Sequence, residues 1–342
     1  MVDVLIMGDE PKVLIVRNDK LGDFMLAYPS FAFLKVSVPG AKVFALVPEY
    51  TREMAELCPW IDGVVVDSGE GALDLARVLR AERFDAVVAL YSTSRVGMAS
   101  MLAGIRHRLA PATKIAQIFF NHRLKQRRSF LEKPEFEYNL DLIREYLRKE
   151  GVEVGEMPAP PYLHFAANES AALEEAFRTE HAIARGARLV FVHPGSGGSA
   201  GNLSLDQFAR LSASLQSDVG HVVVITAGPG EVERAKSLAS MLDGTRHVVY
   251  VSDRGLKRFA QHIQFADLFI SGSTGTLHIA GALDRPTAAF YTRRRSATAL
   301  RWRTLNSPER RLAFSPPEEG DAEDMSNIDI EGAAREISER FL

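Results

Sequence analysis

The stretch VRNDKLGDF at residues 16–24 sets a carboxylate, Asp23, just past a glycine, where the apolar run VLIV at 13–16 gives way first to charge and then to helix-forming residues. A carboxylate so placed can take a proton from a hydroxyl group, and it can equally satisfy the free amides of a helix start. On residue type alone the cap is the commoner use. A second loop, HPGSGGSAG at 193–201, follows an apolar run and precedes the helical pattern LSLDQFARL. Exposed amides in a glycine-dense loop at a helix start suit a phosphate or diphosphate. A third, SGSTGTLHIAGAL at 271–283, leads into an apolar helix. Its small residues let a ligand approach the backbone, and Ser273, Thr274 and Thr276 add hydroxyls at the helix's positive end. His278 lies one turn inside that helix, where a lone histidine is more often packed or capping than catalytic. GSGGSA at 195–200 also matches a dinucleotide fingerprint in its G-x-G-x-x-A form. The next strand ends VITAG at 224–228 with no acidic residue to hold a ribose, which weakens that reading, and a plain turn competes with it.

These loops need strands to carry them. KVLIV at 12–16, AKVFALV at 41–47, GVVVD at 63–67 and FDAVVAL at 84–90 alternate with helix-length segments such as 30–38 and 71–81. The pattern restarts after residue 161 with helical 168–184, then RLVFVHPG, HVVVITAG, HVVYVS, ADLFISGS and PTAAFY, and closes on a helix at 330–341. Runs apolar on both faces and separated by helices predict parallel sheets covered on both sides. The helix that carries Asp23 is expected to continue through Leu34. Three prolines within 151–165, at 158, 160 and 161, mark a stiff linker between two doubly wound halves. Ligands of open α/β sheets sit beyond the carboxyl ends of the strands, so a two-lobed chain has its natural site between the lobes.

Totals fit this picture. The chain has 342 residues, 46% hydrophobic and 25% charged, with a formal net charge of −3. Its single cysteine allows no internal disulfide, and its nine histidines show no paired zinc-type spacing. No run reaches the roughly 18 apolar residues of a membrane span, and no signal segment opens the chain, so a cytoplasmic protein is expected, soluble or peripheral.

Taken in order, VLIVRNDKLGD, HPGSGGSA and GSTGTLHIAGAL resemble the bacterial lipopolysaccharide heptosyltransferases, glycosyltransferase family 9, over residues 13 to about 302. The resemblance implies an α/β fold of the GT-B type, two Rossmann-like doubly wound domains facing a central cleft. The acceptor domain would span 1–157 and the nucleotide-sugar domain 166–342, with a linker at 158–165 and the last helix a candidate to pack back on the first domain. It further implies an inverting, metal-independent transfer of a heptose or related sugar from an ADP-sugar type of donor, with no separate cofactor. The family's aspartate after Leu-Gly falls on Asp23, which becomes the expected catalytic base. Donor contacts fall on His193, Gly195, Ser196, Gly197, Gly198, Ser199, Ser273, Thr274, Gly275, Thr276 and His278.

Two departures stand out. Where the family carries a lysine, an aromatic and a proline after the second loop, this chain has Gly201, Leu203 and Ser204; where it has Asp-Thr-Gly, this chain has Ser273 before Thr274. Arg293, Arg294 and Arg295 follow PTAAFY, and they either replace the missing lysine at the donor or pair with the acidic segment 316–326. In the first half, Arg106, Arg108, Lys114, Arg123, Lys125, Arg127 and Arg128, with Lys20, form a basic set. In this family it is expected to receive the anionic groups of a glycolipid acceptor such as the lipopolysaccharide core, at or near the cytoplasmic face of the inner membrane. Solvated surface is the plain alternative, and nucleic acid is disfavoured by the lack of interleaved aromatics. A catalytically weak nucleotide- or glycan-binding homologue is the runner-up function. A nicotinamide-dependent oxidoreductase ranks third.

Overall fold

The computed structural model describes residues 10–113, 115–195 and 201–342, and it divides into two units, one ending at Tyr162 and one beginning at Leu163. In the first unit the order is β1 (Lys12–Val16), α1 (Leu21–Met25), α2 (Tyr28–Ser37), β2 (Lys42–Pro48), α3 (Arg52–Leu57), β3 (Gly63–Asp67), α4 (Ala72–Glu82), β4 (Ala86–Ala89), α5 (Ser94–Leu102), β5 (His107–Pro111), β6 (His122–Leu124) and α6 (Glu135–Lys149). The second runs α7 (Ala167–Glu180), β7 (Arg188–His193), α8 (Leu205–Ser214), β8 (His221–Ala227), α9 (Val232–Ala239), β9 (His247–Val251), α10 (Gly255–Ile263), β10 (Leu268–Gly272), α11 (Gly275–Ala282), β11 (Thr287–Phe290), β12 (Arg311–Phe314) and α12 (Ile330–Phe341).

Both sheets are parallel and share one strand order. The first reads β3-β2-β1-β4-β5-β6, and the second, numbered from β7, follows the same plan as β9-β8-β7-β10-β11-β12. β1 and β7 are central, and Val13–Val16 and Leu189–His193 are buried because helices cover both faces. The first core gathers Leu14, Val16, Val87, Val96, Ala99 and Phe120. In the second, Phe208 and Leu211 of α8 pack with Ala334 and Ile337 of α12, and Gln207 donates to the Met325 carbonyl at 2.7 Å. The last helix therefore sits on the C-terminal unit.

Three differences from the sequence expectations have local causes. The helix carrying Asp23 stops at Met25 and restarts at Tyr28, because Pro29, which has no amide to donate, is accommodated only in a first turn. The basic segments 106–108 and 122–124 are not plain surface; most of each lies in β5 or β6, at or next to the sheet's edge. β12 is likewise a short edge strand with arginine at its start. No described helix is long and apolar enough to cross a membrane.

Candidate active site

Strand order reverses direction between β1 and β4 in one sheet and between β7 and β10 in the other, and ligands of such sheets approach at that point. The described residues of the three loops singled out above lie there. In the first unit the Leu90 and Tyr91 amides donate to the Val16 carbonyl at 3.0 and 3.2 Å, binding the ends of β1 and β4 together. Immediately beyond stands Arg17, buried, whose guanidinium reaches Asp19 at 2.9 Å, Glu135 at 3.3 Å, the Asn139 side chain at 3.1 Å, and Asp23. Three carboxylates converge and a guanidinium fills their centre. Burial works against the charge of Arg17, but Asp19, Asp23 and Glu135 outweigh it and hold the group above its ordinary pKa. Glu135 opens α6, 118 positions along the chain from Arg17, and is also held by Arg128 at 2.6 Å.

Asp23 does not cap its helix. α1 begins after Lys20 with no side-chain cap, and the Asp23 carboxylate turns to Arg17 instead. Only 14% of its side chain is exposed. Burial pushes its pKa up to about 6; Arg17 opposes the rise, and Asp19 and Glu135 add to it. The product is a carboxylate ionised at neutral pH, more basic than an ordinary aspartate, with one edge open to solvent. Lys20 is exposed beside it.

In the second unit Asn202 is the organiser. Its amide donates to the Pro194 and Gly195 carbonyls at 3.1 and 3.2 Å, and its oxygen lies where a side chain on Gly272 would stand. The loop after β7 thereby packs against the end of β10. Arg234 of α9 also donates to the Pro194 carbonyl, at 2.8 Å. Gly195 is required by the Glu231 carboxylate, which occupies the space a side chain there would need. Glu231 accepts from the Gly228 amide at 3.0 Å and lies 3.7 Å from His193 Nε2. A carboxylate thus does stand beyond β8: the chain makes one turn past VITAG and brings Glu231 back to the loop. His193 is buried, its Nδ1 3.0 Å from Thr226 Oγ1, and burial pushes its pKa down.

Thr274 caps α11, accepting from the Leu277 amide at 3.4 Å, and its hydroxyl meets that of Thr276 at 2.8 Å. The Gly275 and Thr276 amides remain at the positive end of the helix, with half-buried Ser273 alongside. His278 is buried, with its ring 6.4 Å from that of Trp302, and burial pushes its pKa down to about 4. It is neutral at pH 7 and contributes shape rather than charge. Ser196, Gly197, Gly198 and Ser199 lie outside the described residues, as does Lys114. Arg293 donates to the Glu318 and Gly320 carbonyls at 2.9 and 3.3 Å, and Arg294 lies 3.8 Å from Glu323, so both are engaged with the 316–326 segment; Arg295 is exposed.

The basic set of the first unit is divided by the sheet. Arg108 spends its guanidinium on the Phe119 and Ile105 carbonyls at 3.0 and 2.5 Å. Arg106 and Arg123 are exposed. Lys125 and Arg127 line a cavity of about 480 Å³ together with Lys133, Arg144, Asp141 and Glu145. Arg128 alone joins the Asp23 network, through Glu135. Among residues not foreseen, Arg17 stood in plain view next to Asp23, while Glu135, Asn202, Glu231 and Arg234 carried no motif of their own.

Residues 72–310 match the model of glycosyltransferase family 9 (heptosyltransferase). The chain is 45% identical over 335 residues to a Haemophilus influenzae protein that is itself only provisionally named a glycosyltransferase, covering 96% of each. It is 24% identical over 302 residues to lipopolysaccharide heptosyltransferase 1 of Escherichia coli K12, covering 82% of this chain and 87% of that one. Among solved structures, a family 9 glycosyl transferase of Veillonella parvula shares the fold with a TM-score of 0.81 at 16% identity over 98% of both chains. Escherichia coli ADP-heptose lipopolysaccharide heptosyltransferase II does so with a TM-score of 0.77 at 17% identity, over 96% of this chain and 98% of that one.

Proposed function

Because the chain belongs to glycosyltransferase family 9 and is a glycosyltransferase, we propose that it moves a heptose or related sugar from an ADP-sugar donor to an anionic glycolipid such as a lipopolysaccharide core, with inversion and without a metal. The observation that carries the proposal is Asp23: a largely desolvated carboxylate at the strand-order reversal of the first sheet, with its pKa near 6. In the step proposed, the acceptor hydroxyl gives its proton to Asp23 while its oxygen bonds to the sugar's anomeric carbon. The bond from that carbon to the diphosphate breaks, and the diphosphate leaves with the electron pair. The α11 amides at Gly275 and Thr276, helped by the Gly195 loop, stabilise the departing charge as a metal would. Glu231, standing past the second strand of its sheet, is suited to accept from ribose hydroxyls.

Incubation with ADP-heptose and a heptose-free lipopolysaccharide acceptor, followed by ADP release with and without chelator, tests the reading. Turnover that survives chelator and yields the opposite anomeric configuration supports it. Loss of activity with chelator, or retained configuration, overturns the corresponding part. Gly201 and Ser273, in place of the lysine and aspartate the resemblance leads one to expect, favour a second reading, a homologue that binds the donor without turning it over. Tight ADP-heptose binding without ADP release would select it.

A further inference from the structure

Between Asp85 and Glu132 the chain holds no acidic residue and eight lysines and arginines. At the chain's average of 44 acids in 342 residues, a stretch of that length would hold about six, so the segment is a cationic block rather than a mixed surface. α5 and the Ile115–Phe119 turn pack side by side within it, so closely that Phe119 and Phe120 take the space where a side chain on Gly97 would stand. Their outer faces are apolar. Met98 and Met101 on α5 are 37% and 43% exposed, and Ile115 and Ile118 on the turn are 76% and 65% exposed. In each element the two residues are three apart, which sets them on one side. Arg123 of β6 is in register with Ala110 of β5, and Ala110 packs with Val96 and Ala99 of α5, so Arg123 rises from the sheet's edge on this same face. Arg106 follows the end of α5. Both arginines are exposed, and neither is in an ion pair with a described residue.

We propose that this face of the first unit docks on an anionic lipid bilayer, with Ile115, Ile118, Met98 and Met101 entering the boundary between headgroups and acyl chains and Arg106 and Arg123 meeting the phosphates. Long aliphatic side chains ringed by unpaired cations are what such an interface rewards, since apolar burial and headgroup attraction add. A second copy packed two-fold on the same face would set cations against cations. A nucleic acid would take the arginines and leave the isoleucines in water. The inference suits a glycolipid acceptor, but its test uses no turnover, so it stands or falls apart from the donor and acceptor reading.

The full chain is sedimented with vesicles of phosphatidylcholine alone or with about one-third phosphatidylglycerol. Binding at least tenfold stronger to the anionic vesicles is expected. Arg106→Gln and Arg123→Gln should each weaken it roughly fivefold, less so at high salt. Ile115→Ser with Ile118→Ser should remove most of it at either salt, while circular dichroism and melting temperature stay those of the parent because both residues are exposed. Should that pair misfold, Met101→Gln alone provides the apolar arm. Equal partitioning to neutral and anionic vesicles overturns the proposal. So does undiminished binding by the serine pair, a dimer that the serine pair dissolves, or RNA binding that needs the arginines and not the isoleucines.

Discussion

Asp23 is costly where it stands, since burial holds its carboxyl near pKa 6 against the pull of Arg17, and that cost is what makes it basic at neutral pH. Asp23→Asn keeps the shape and drops the desolvated charge, while Arg17 retains Asp19 and Glu135. Turnover is therefore expected to fall by roughly two to four orders of magnitude, with a melting temperature equal to or above the parent's. Near-parental turnover would remove the base assignment. The same pKa fixes an acid limb. Asp23 must be ionised to take a proton, so kcat/KM should fall about tenfold per pH unit below pH 6. Glu135→Gln removes a like charge that raises the Asp23 pKa and frees Arg17 to favour the ionised form, and both effects point the same way. The acid limb of its pH profile should move to lower pH; a limb that stays or moves up would show that Glu135 does not tune Asp23.

At the scale of elements, the loops after β7 and β10 work as one piece because Asn202 spans them. Gly272→Ala puts a methyl group onto the Asn202 side-chain oxygen, and Asn202→Ala removes the same contact from the other side. Each should weaken ADP-sugar binding about tenfold, the scale of one lost charge-assisted contact, in a calorimetric titration; normal affinity in both variants would separate the loop from the donor. A side chain at Gly201 would come 2.8 Å from Thr292 Cγ2, so a lysine there would need the buried Thr292 to shift. Arg234, anchored on the Pro194 carbonyl, is a cation at the start of the loop, and Arg234→Ala should lower donor affinity more than Arg293→Ala, whose partner is the acidic segment. These ties also show where sequence reading stops. β1, β2 and β4 were legible because strands covered on both faces read as unbroken apolar runs, and β3, an edge strand only half-buried, was legible from its run of three valines. β5, β6 and β12 were not, because edge or near-edge strands bearing arginine and histidine look like surface charge. Asp23 drew notice from its place after a glycine at a strand end, where a helix cap is the commoner use, and the base role came only with the family resemblance; Glu135, Asn202 and Glu231 join the candidate site only when distant segments are folded together.

Across the whole molecule the two units carry opposite balances of buried titratable groups, and their acid stabilities should differ for that reason. In the second unit burial pushes His193, His221, His262 and His278 down, the last to about 4. A histidine depressed in the folded state leaves the unfolded chain to take the proton first, so stability is whole above about pH 6.5 and is lost as pH falls toward the folded pKa. His278 alone should remove about 1.4 kcal/mol per pH unit down to pH 4. In the first unit His107, pushed down to about 3, and His122 act in the same direction, but Asp23 and Glu150 are pushed up. A raised carboxyl takes its proton first in the folded state, and stability rises as pH falls through its folded pKa toward its unfolded one. The groups of the first unit therefore largely offset one another between about pH 6 and pH 4. Asp67, held below the usual range mainly by Arg95 and Asn18 against its burial, matters only under more acidic conditions. The chain supplies its own reporters, since its two tryptophans are Trp60 in the first unit and Trp302 in the second. With Trp60→Phe, urea unfolding followed at Trp302 should show a midpoint that drops steadily from pH 6.5 to pH 4. With Trp302→Phe, the midpoint seen at Trp60 should stay nearly level over that range until Asp23→Asn removes the opposing carboxylate, after which it too should fall; equal slopes at both reporters would overturn the account.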